Sequence, residues 1–319
     1  MEFYEELGFQ TKAQWEFPTI INLNVFRGAC PCNCVHCPVG NILPLERDKH
    51  FRRSELDLDL YKKIVNEISE INTVSLLRIH SVGEPILWSK LIEAVRYSRN
   101  KKVKTWIFTS ALTTDRQLLM TLCENADIIE VSVNSFTKED YLKTKGVDQF
   151  ELIMDNILFM SDYIAVHQLK TRLLLSRVQS HDSELDNEFV KYWSQFKGIS
   201  DVFIRSYHNY NGLLGHKTKI ESIQPCLVHW GRFNIDVNGD VVVCFNELFH
   251  KNIKDDYILG NVNFESIKSI WQSEKMNAIR LFLLRKRKDS VKIPCLTCTT
   301  RQPYPSKNVT SEKQLVFLK

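Results

Sequence analysis

The segment Cys30-Pro-Cys-Asn-Cys34-Val-His-Cys37 is the sequence feature that most limits how this chain can fold and what it can bind. It closely follows an apolar run over residues 20–26, which predicts a β-strand. Cys30, Cys34 and Cys37 lie on one loop, separated by three and two residues. Because zinc normally takes paired ligands from two separate segments, three thiolates on one loop favour a metal cluster. A structural zinc knuckle and a buried group of cysteines are the alternatives at this point.

Strand-like and helix-like segments alternate through the first two thirds of the chain. Strands are predicted at residues 20–26, 76–80, 104–110, 128–134, 171–178 and 202–207. Helices are predicted at residues 54–69, with Ser54 as N-cap, and at 88–101, 115–125, 138–145, 149–166 and 187–196. Such alternation predicts right-handed crossovers and a parallel sheet, with ligands bound at the carboxyl ends of the strands. One rim is therefore expected to carry the cysteine loop, Gly83-Glu84, Ser110, Asn134 and Val178.

A Cys-x3-Cys-x2-Cys loop after a first strand resembles the signature of radical S-adenosylmethionine (SAM) enzymes. The resemblance covers residues 20–207 in the number and order of elements, and it implies an α/β fold built on a partial (β/α)6 TIM-like barrel. It also implies a 4Fe–4S cluster held by three thiolates, whose open iron binds SAM. Reductive cleavage of SAM in this family gives a 5′-deoxyadenosyl radical, which removes a hydrogen atom from the substrate.

The resemblance also assigns residues to SAM binding. Gly83-Glu84-Pro85 is similar to a Gly-Gly-Glu-Pro segment that holds the SAM amino group, with Val82 in place of the first glycine. Lys145 occupies the place of a family arginine that pairs with the SAM carboxylate. The full set of expected SAM contacts is His36, Gly83, Glu84, Ser110, Ser132, Asn134, Lys145 and Val178. Simpler explanations exist for several of them. The Gly83-Glu84-Pro85 segment can be an ordinary turn, and Ser132 and Asn134 can be polar residues at a strand end. His36 can be a loop histidine and Val178 a core residue.

Four further cysteines predict a second metal centre in the C-terminal third of the chain. Residues 233–244 are predicted to form a β-hairpin around Asn238-Gly239, and residues 266–288 one long helix. Zinc or a 4Fe–4S cluster would suit the four thiols, which are Cys226, Cys244, Cys295 and Cys298. Their order resembles the SPASM/twitch extension of radical SAM enzymes. Because the longer SPASM form needs more cysteines downstream, the resemblance implies a twitch-type domain with one auxiliary cluster that relays electrons.

The spacing of the auxiliary cysteines is similar to that in an aminocyclitol dehydrogenase of the butirosin pathway, a member of the same family. This likeness implies net oxidation of an alcohol, with the auxiliary cluster accepting an electron and a base accepting the hydroxyl proton. Arg205, His208 and Glu247 are the candidates for binding or deprotonating that hydroxyl, and each is also explained as a surface loop residue. Cys123 has apolar neighbours and is expected in the core. With no thiol placed to return a hydrogen atom, oxidation is favoured over epimerisation.

Composition limits the remaining classes of function. The 319 residues are 44% hydrophobic, and 42 basic residues nearly balance 38 acidic ones, so no nucleic-acid-binding surface is predicted. No run approaches the ~18 apolar residues of a membrane span, and the N-terminus carries no secretory signal. Nine cysteines without an export signal predict a cytoplasmic protein. The expected divisions are an extension (1–19), the barrel (20–207), the auxiliary-cluster domain (208–305) and a tail (306–319).

Three hypotheses follow about what the chain acts on. In the first, a reductant such as flavodoxin or ferredoxin supplies electrons and the substrate is a small polar molecule: a sugar, an aminocyclitol or a nucleoside. In the second, the substrate is a peptide that undergoes maturation or epimerisation. With only residues 1–19 before the first strand, the chain is expected to have no room for a peptide-recognition domain, which a separate chain could provide. The third hypothesis is a scaffold that binds zinc at both cysteine groups and has no affinity for SAM.

Overall fold

The computed structural model describes residues 3–71, 75–215, 225–285, 291 and 293–298. Its strands are β1 (Ile20–Arg27), β2 (Ser54–Glu55), β3 (Leu76–Val82), β4 (Lys104–Thr109), β5 (Ile128–Val131), β6 (Arg172–Val178), β7 (Asp201–Arg205), β8 (Arg232–Ile235), β9 (Asp240–Val242) and β10 (Ile258–Asn261). Its α-helices are α1 (Phe3–Glu6), α2 (Lys12–Glu16), α3 (Arg47–His50), α4 (Leu58–Ser69), α5 (Leu91–Asn100), α6 (Arg116–Asn125), α7 (Lys138–Lys145), α8 (Phe150–Val166), α9 (Ser183–Trp193), α10 (Val228–Gly231), α11 (Ile267–Trp271) and α12 (Glu274–Arg285). Short 3-10 helices lie at Pro44–Glu46, Pro85–Leu87, Tyr210–Gly212, Phe245–Phe249, Asp255–Tyr257 and Pro294–Thr297. None of the described helices is long and apolar enough to cross a membrane.

One mixed sheet organises the molecule, in the order β10-β9-β8-β1-β3-β4-β5-β6-β7, with β2 paired to the end of β1. The strands β1, β3, β4, β5, β6 and β7 are parallel to one another. Helices connect them, as crossovers between parallel strands require. Among the described residues, β7 and β10 are the edges and do not pair, so the barrel is open. The predicted α/β class and partial barrel are therefore confirmed.

The strands alternate between two faces. In β1, Ile21, Leu23 and Val25 belong to a large core cluster that also contains residues of α4, α5, α6 and α8. Asn22, between two of them, lines a cavity on the inner face of the sheet. A smaller apolar cluster packs inside the barrel, and its buried members are Leu76, Trp106, Ile128 and Leu174. The inner face is thus part apolar and part polar, which leaves room for a ligand.

The start of α4 differs from the prediction because a different residue caps it. The Asp57 carboxylate accepts hydrogen bonds from the amides of Asp59 and Leu60, at 2.9 and 3.1 Å. Ser54, the predicted cap, lies instead in β2, opposite Arg27. Ser54 and Glu55, which were predicted to begin the helix, therefore form the short strand β2.

The predicted helix over residues 266–288 is two helices, α11 and α12, separated by Gln272 and Ser273. The Ser273 hydroxyl accepts a hydrogen bond from the Met276 amide at 3.2 Å, and the Gln272 side chain donates to the Trp15 carbonyl at 3.3 Å. α9 likewise begins at residue 183, before the predicted 187, because Asp182 caps it. Residues 286–288 of the predicted helix, residues 216–224 of the auxiliary region and the predicted tail lie outside the described residues.

The predicted hairpin is formed by β8 and β9, and it belongs to the barrel sheet because β8 pairs in parallel with β1. Asn22 Nδ2 donates to Asn234 Oδ1 at 2.8 Å, across 212 positions of sequence. Arg27 and Asp236 form a buried ion pair at 2.9 Å. A continuous sheet therefore connects the first strand to the C-terminal cysteines.

Candidate active site

A cavity of about 340 Å³ lies at the carboxyl ends of the parallel strands. Most of the predicted site residues line it, namely Cys30, Cys34, His36, Cys37, Gly83, Glu84, Ser110, Ser132, Lys145, Val178, Arg205, His208, Cys226, Cys244, Cys295 and Cys298. Asn134 and Glu247 do not. The two cysteine groups, which are far apart in sequence, thus border one chamber.

The cysteine loop is held against the end of α7. The backbone amides of Asn33 and Val35 donate to the carbonyl oxygens of Lys145 and Thr144, at 2.7 and 3.1 Å. Gly146 ends the helix in the left-handed conformation, with φ of 65°. A Cβ at Gly146 would lie 2.7 Å from the Asn33 oxygen, so glycine is required at this contact. The contact brings Lys145 beside the loop.

A buried arginine, which no sequence motif marks, holds the shape of the cysteine loop. Arg47 is 1% exposed and donates to the carbonyl oxygens of Cys30 and Cys32, at 2.7 and 2.9 Å. It also donates to the Ile42 carbonyl at 3.0 Å and to Oδ1 of Asn33 at 2.6 Å. Because a guanidinium carries five donors in a fixed plane, one side chain can satisfy several inward-facing carbonyls of a tight loop.

The thiols of the loop lie in a poorly solvated environment. Burial raises the pKa of the Cys37 thiol to about 11. A hydrogen bond with Cys30, together with burial, raises the pKa of Cys32 to about 12, and a hydrogen bond with Cys32 and burial do the same for Cys34. The positive charge of Lys145 acts in the opposite direction on all three thiols. Thiolates at this loop therefore require cationic partners, which a metal cluster would supply.

Gly83 and Glu84 bring the end of β3 against the base of the cysteine loop. Gly83 has φ of 146°, and a Cβ there would lie 2.6 Å from the Ala29 carbonyl oxygen. The Glu84 carboxylate, 2% exposed, accepts hydrogen bonds from the Thr109 hydroxyl at 2.6 Å and the Ser110 amide at 2.8 Å. Glu84 thereby connects β3 to β4. Because a carboxylate accepts about four hydrogen bonds, it keeps capacity for an ammonium group in the cavity.

Ser132 and Val178 reach the cavity, whereas Asn134 supports them from behind. Asn134 is 1% exposed and has a left-handed backbone, with φ of 64°. Its Oδ1 accepts from the Val178 amide at 2.7 Å, and its Nδ2 donates to the Ser132 hydroxyl at 2.8 Å. The predicted ribose contact through Asn134 does not agree with this arrangement, because both ends of its amide are bonded within the protein. Lys145 donates to the Ser132 carbonyl at 2.6 Å.

Two of the candidate catalytic residues are already engaged. Arg205 donates from Nε and Nη2 to the two oxygens of the buried Glu130, at 2.6 and 2.5 Å. Its guanidinium is therefore held in a bidentate ion pair at the cavity wall. Glu247 is 3% exposed and accepts a hydrogen bond from the Asn211 side chain at 2.5 Å. Since it does not line the cavity, the prediction that Glu247 acts as a base does not agree with the structure.

His208 is the candidate base that remains at the cavity. Burial, together with the charges of Arg232 and Arg205, lowers its pKa to about 4. The imidazole is therefore neutral near pH 7 and has a nitrogen lone pair available, while its low pKa makes it a weak base. Its Nδ1 is buried without a hydrogen-bond partner among the described residues.

The second cysteine group is buried as well. Cys226 and Cys295 are each 8% exposed, and the Cys295 sulfur lies 3.5 Å from Nε2 of His229. Burial and the neighbouring cysteines raise the pKa of the Cys244 thiol well above its ordinary value. Within the described ranges, no three His, Cys, Asp or Glu side chains converge on one metal ion; the thiols border a shared space instead. Cys123 is fully buried in α6, in the core.

Two family profiles match the chain. One, described as the radical SAM superfamily, matches residues 24–184, which is half of the chain. The chain belongs to the radical SAM superfamily. The other profile, SPASM, described as an iron-sulfur cluster-binding domain, matches residues 226–299. The family predicted from the cysteine loop is therefore confirmed, and so is an auxiliary-cluster domain of the SPASM type.

Individual radical SAM relatives agree with this assignment. PqqA peptide cyclase of Bradyrhizobium diazoefficiens is 32% identical over 316 residues, covering 86% of this chain and 77% of that protein. Streptococcus suis SuiB bound to SAM has a TM-score of 0.66 at 16% identity, covering 89% of this chain and 71% of SuiB. BtrN in complex with AdoMet and 2-DOIA has a TM-score of 0.50 at 16% identity, covering 88% and 93%. At such identities the two solved structures support the fold alone.

The cofactors of the superfamily are a 4Fe–4S cluster and SAM, and the SPASM domain adds auxiliary iron–sulfur binding. Together, bound cluster and SAM supply the radical that abstracts a hydrogen atom. The residues present fit these groups. The thiols of each cysteine group border the cavity, Gly83 allows close approach of the backbone, and Lys145 places a buried positive charge beside the loop.

Proposed function

We propose that this radical SAM enzyme abstracts a hydrogen atom from a peptide substrate bound in the cavity. The observation that carries the proposal is the 32% identity to PqqA peptide cyclase, which extends over 86% of this chain. The fold likeness to SuiB, whose structure has also been solved with the precursor peptide SuiA, supports the same class. A reductant such as flavodoxin or ferredoxin supplies the electron.

Within the proposal, the barrel (20–207) binds SAM and the auxiliary region (208–305) binds the second cluster. The SAM-binding cluster is ligated by Cys30, Cys34 and Cys37. The auxiliary cluster is ligated by Cys226, Cys244, Cys295 and Cys298. SAM is held by His36, Gly83, Glu84, Ser110, Ser132, Lys145 and Val178, all of which line the cavity. His208 accepts the proton that the substrate loses.

A second candidate is oxidation of a small polar molecule. Its support is that the neutral His208 and the auxiliary cysteines line one cavity, an arrangement suited to removing a proton and an electron from an alcohol. Cys123, fully buried in α6 and outside the cavity lining, is not placed to return a hydrogen atom to a substrate there.

The two candidates are separated by tracing the abstracted hydrogen. The anaerobically reconstituted protein, holding about eight irons for two 4Fe–4S clusters, is incubated with SAM, dithionite and an extract of cells grown in D₂O. The extract is first fractionated by size, and each fraction is incubated separately. Mass spectrometry then measures the deuterium content of the 5′-deoxyadenosine that is formed. Deuterium transfer from a peptide fraction, abolished when that fraction is first digested with protease, is the expected result. The matched control is the triple variant Cys30→Ala, Cys34→Ala, Cys37→Ala, which should retain about four irons and form no 5′-deoxyadenosine.

Deuterium transfer from the small-molecule fraction, unaffected by protease, would replace the peptide proposal with alcohol oxidation. A protein that takes up zinc and never cleaves SAM would contradict both proposals.

A further inference from the structure

The inner face of the barrel carries an arginine for which neither SAM binding nor the clusters provide a role. Arg78 lies in β3, in register with Asn22 of β1 on one side and Trp106 of β4 on the other. It is 5% exposed and lines the cavity. It precedes Gly83, the residue directly after β3, by five positions, which corresponds to roughly 16 Å along an extended chain. Arg78 therefore lies well below the rim where SAM is proposed to bind.

Two aromatic rings pack against the Arg78 guanidinium, and among the described residues no hydrogen bond from its side chain is seen. The Trp106 and Phe108 rings lie 4.9 and 4.4 Å from its central carbon. Such stacking stabilises the cation and leaves the N–H groups, which lie in the guanidinium plane, available. Nε of Arg78 is buried and has no hydrogen-bond partner, and within the described ranges no carboxylate forms an ion pair with this residue.

The nearby charges do not neutralise Arg78. Glu130 is the acid of this region, and both of its oxygens are engaged by Arg205. Arg232 is a third arginine at the cavity. It lies near the thiols of Cys226 and Cys244 and adds positive charge. Burial, Arg232 and Arg205 together lower the pKa of Arg78 well below its ordinary value. A buried cation without a counter-ion destabilises the folded state. A cation of this kind inside a cavity is therefore explained by an anionic ligand that pairs with it.

We propose that Arg78 binds a carboxylate of the substrate at the floor of the barrel, and so selects peptides with an acidic side chain or a free C-terminal carboxylate near the reacting residue. The inference rests on the proposed peptide function of the same cavity. A guanidinium fork matches a planar carboxylate through two parallel hydrogen bonds, and the aromatic wall of Trp106 and Phe108 excludes water from that pair. Lys145 serves the SAM carboxylate at the rim, so the two anions are bound separately.

The test measures binding without turnover. Anaerobic holoenzyme with SAM is titrated with glutarate, with its uncharged diamide glutaramide and with inorganic phosphate, by isothermal titration calorimetry. We expect glutarate to bind the wild type and to lose at least about tenfold in affinity in Arg78→Met, the scale expected when one partner of a buried charge pair is removed. Arg78→Lys should retain part of the affinity. Arg96→Met, at an exposed position of α5, is the matched control and should bind as the wild type does.

Thermal unfolding separates lost binding from lost folding. Because Arg78→Met removes an unpaired buried charge, the variant should unfold at the same temperature as the wild type or higher. Equal glutarate affinity in wild type and Arg78→Met, or equal affinity for glutarate and glutaramide, would overturn the proposal. Binding of phosphate but not glutarate through Arg78 would overturn the choice of a carboxylate. None of these outcomes depends on the peptide assay, so the peptide function can stand while the carboxylate site fails, and the reverse.

Discussion

Replacement of Arg47 by methionine is expected to empty the SAM-binding cluster site while leaving the auxiliary site filled. The side chain is fully enclosed and donates four hydrogen bonds, two of them to the carbonyl oxygens of Cys30 and Cys32. Each hydrogen bond from a charged donor contributes about 1.5–3 kcal/mol, so those two alone correspond to about 3–6 kcal/mol. Since about 1.4 kcal/mol is a tenfold change, the ordered loop loses at least about a hundredfold in population.

The assay for the Arg47→Met variant is iron content after anaerobic reconstitution, followed by the change in the electron paramagnetic resonance spectrum when SAM is added. We expect iron to fall from about eight to about four per chain. The remaining signal should not respond to SAM. Arg53→Met is the matched control, because Arg53 lies close by in sequence, and its side chain makes an exposed ion pair with Asp48 and a contact with the Phe26 ring but donates no hydrogen bond to the cysteine loop. An Arg47→Met protein that holds both clusters and binds SAM with unchanged affinity would refute this account of the loop.

Two further predictions concern Lys145 and His208. Lys145→Met should weaken SAM binding by at least about tenfold because it removes a buried positive charge from the proposed carboxylate site, while Lys143→Met, exposed on α7, should not; equal dissociation constants for the two variants would contradict the assignment. His208 has a pKa of about 4 when folded against an ordinary 6.5, so the unfolded chain takes up the proton first and stability falls as pH drops from 6.5 toward 4. When the pH is lowered from 6.5 to 5, urea unfolding should therefore show a smaller loss of unfolding free energy in His208→Gln than in the wild type or in His181→Gln. The same dependence of unfolding free energy on pH in all three proteins would show that folding does not lower the pKa of His208.

The sequence was most informative where residues of one type recur at short spacing along the chain. The spacing of the three cysteines in the first loop favours a metal cluster, and the resemblance to the radical SAM signature implies its chemistry. Alternation of strands and helices predicts the parallel sheet. Gly83-Glu84 could be placed on the rim because a parallel sheet brings all its strand ends to one side. The element boundaries that were wrong depend on single caps, such as Asp57 in place of Ser54.

What could not be predicted depends on side-chain partners far apart in sequence. The sequence of β3 does not show what surrounds the Arg78 side chain. In the structure it contacts the rings of Trp106 and Phe108, and no described carboxylate forms an ion pair with it. Asn134 was placed at the correct strand end, but its amide is used by Ser132 and Val178, which only the folded chain brings together. Glu247 follows a cysteine ligand candidate closely, yet it does not line the cavity and accepts a hydrogen bond from Asn211. The direction of a side chain in a loop has no signature in the sequence.

The pairing of β8 with β1 has a consequence for synthesis of the chain. The two strands are joined by contacts that span 212 positions, so one edge of β1 has no partner until residues 232–235 have left the ribosome. At about 5–20 residues per second, this delay is about 10–40 s. During that time an apolar strand edge is exposed to pairing with other chains, and the auxiliary cysteines cannot yet be brought together. The four candidate ligands of the auxiliary cluster lie at residues 226–298, so that cluster can be inserted only after most of the chain has been synthesised.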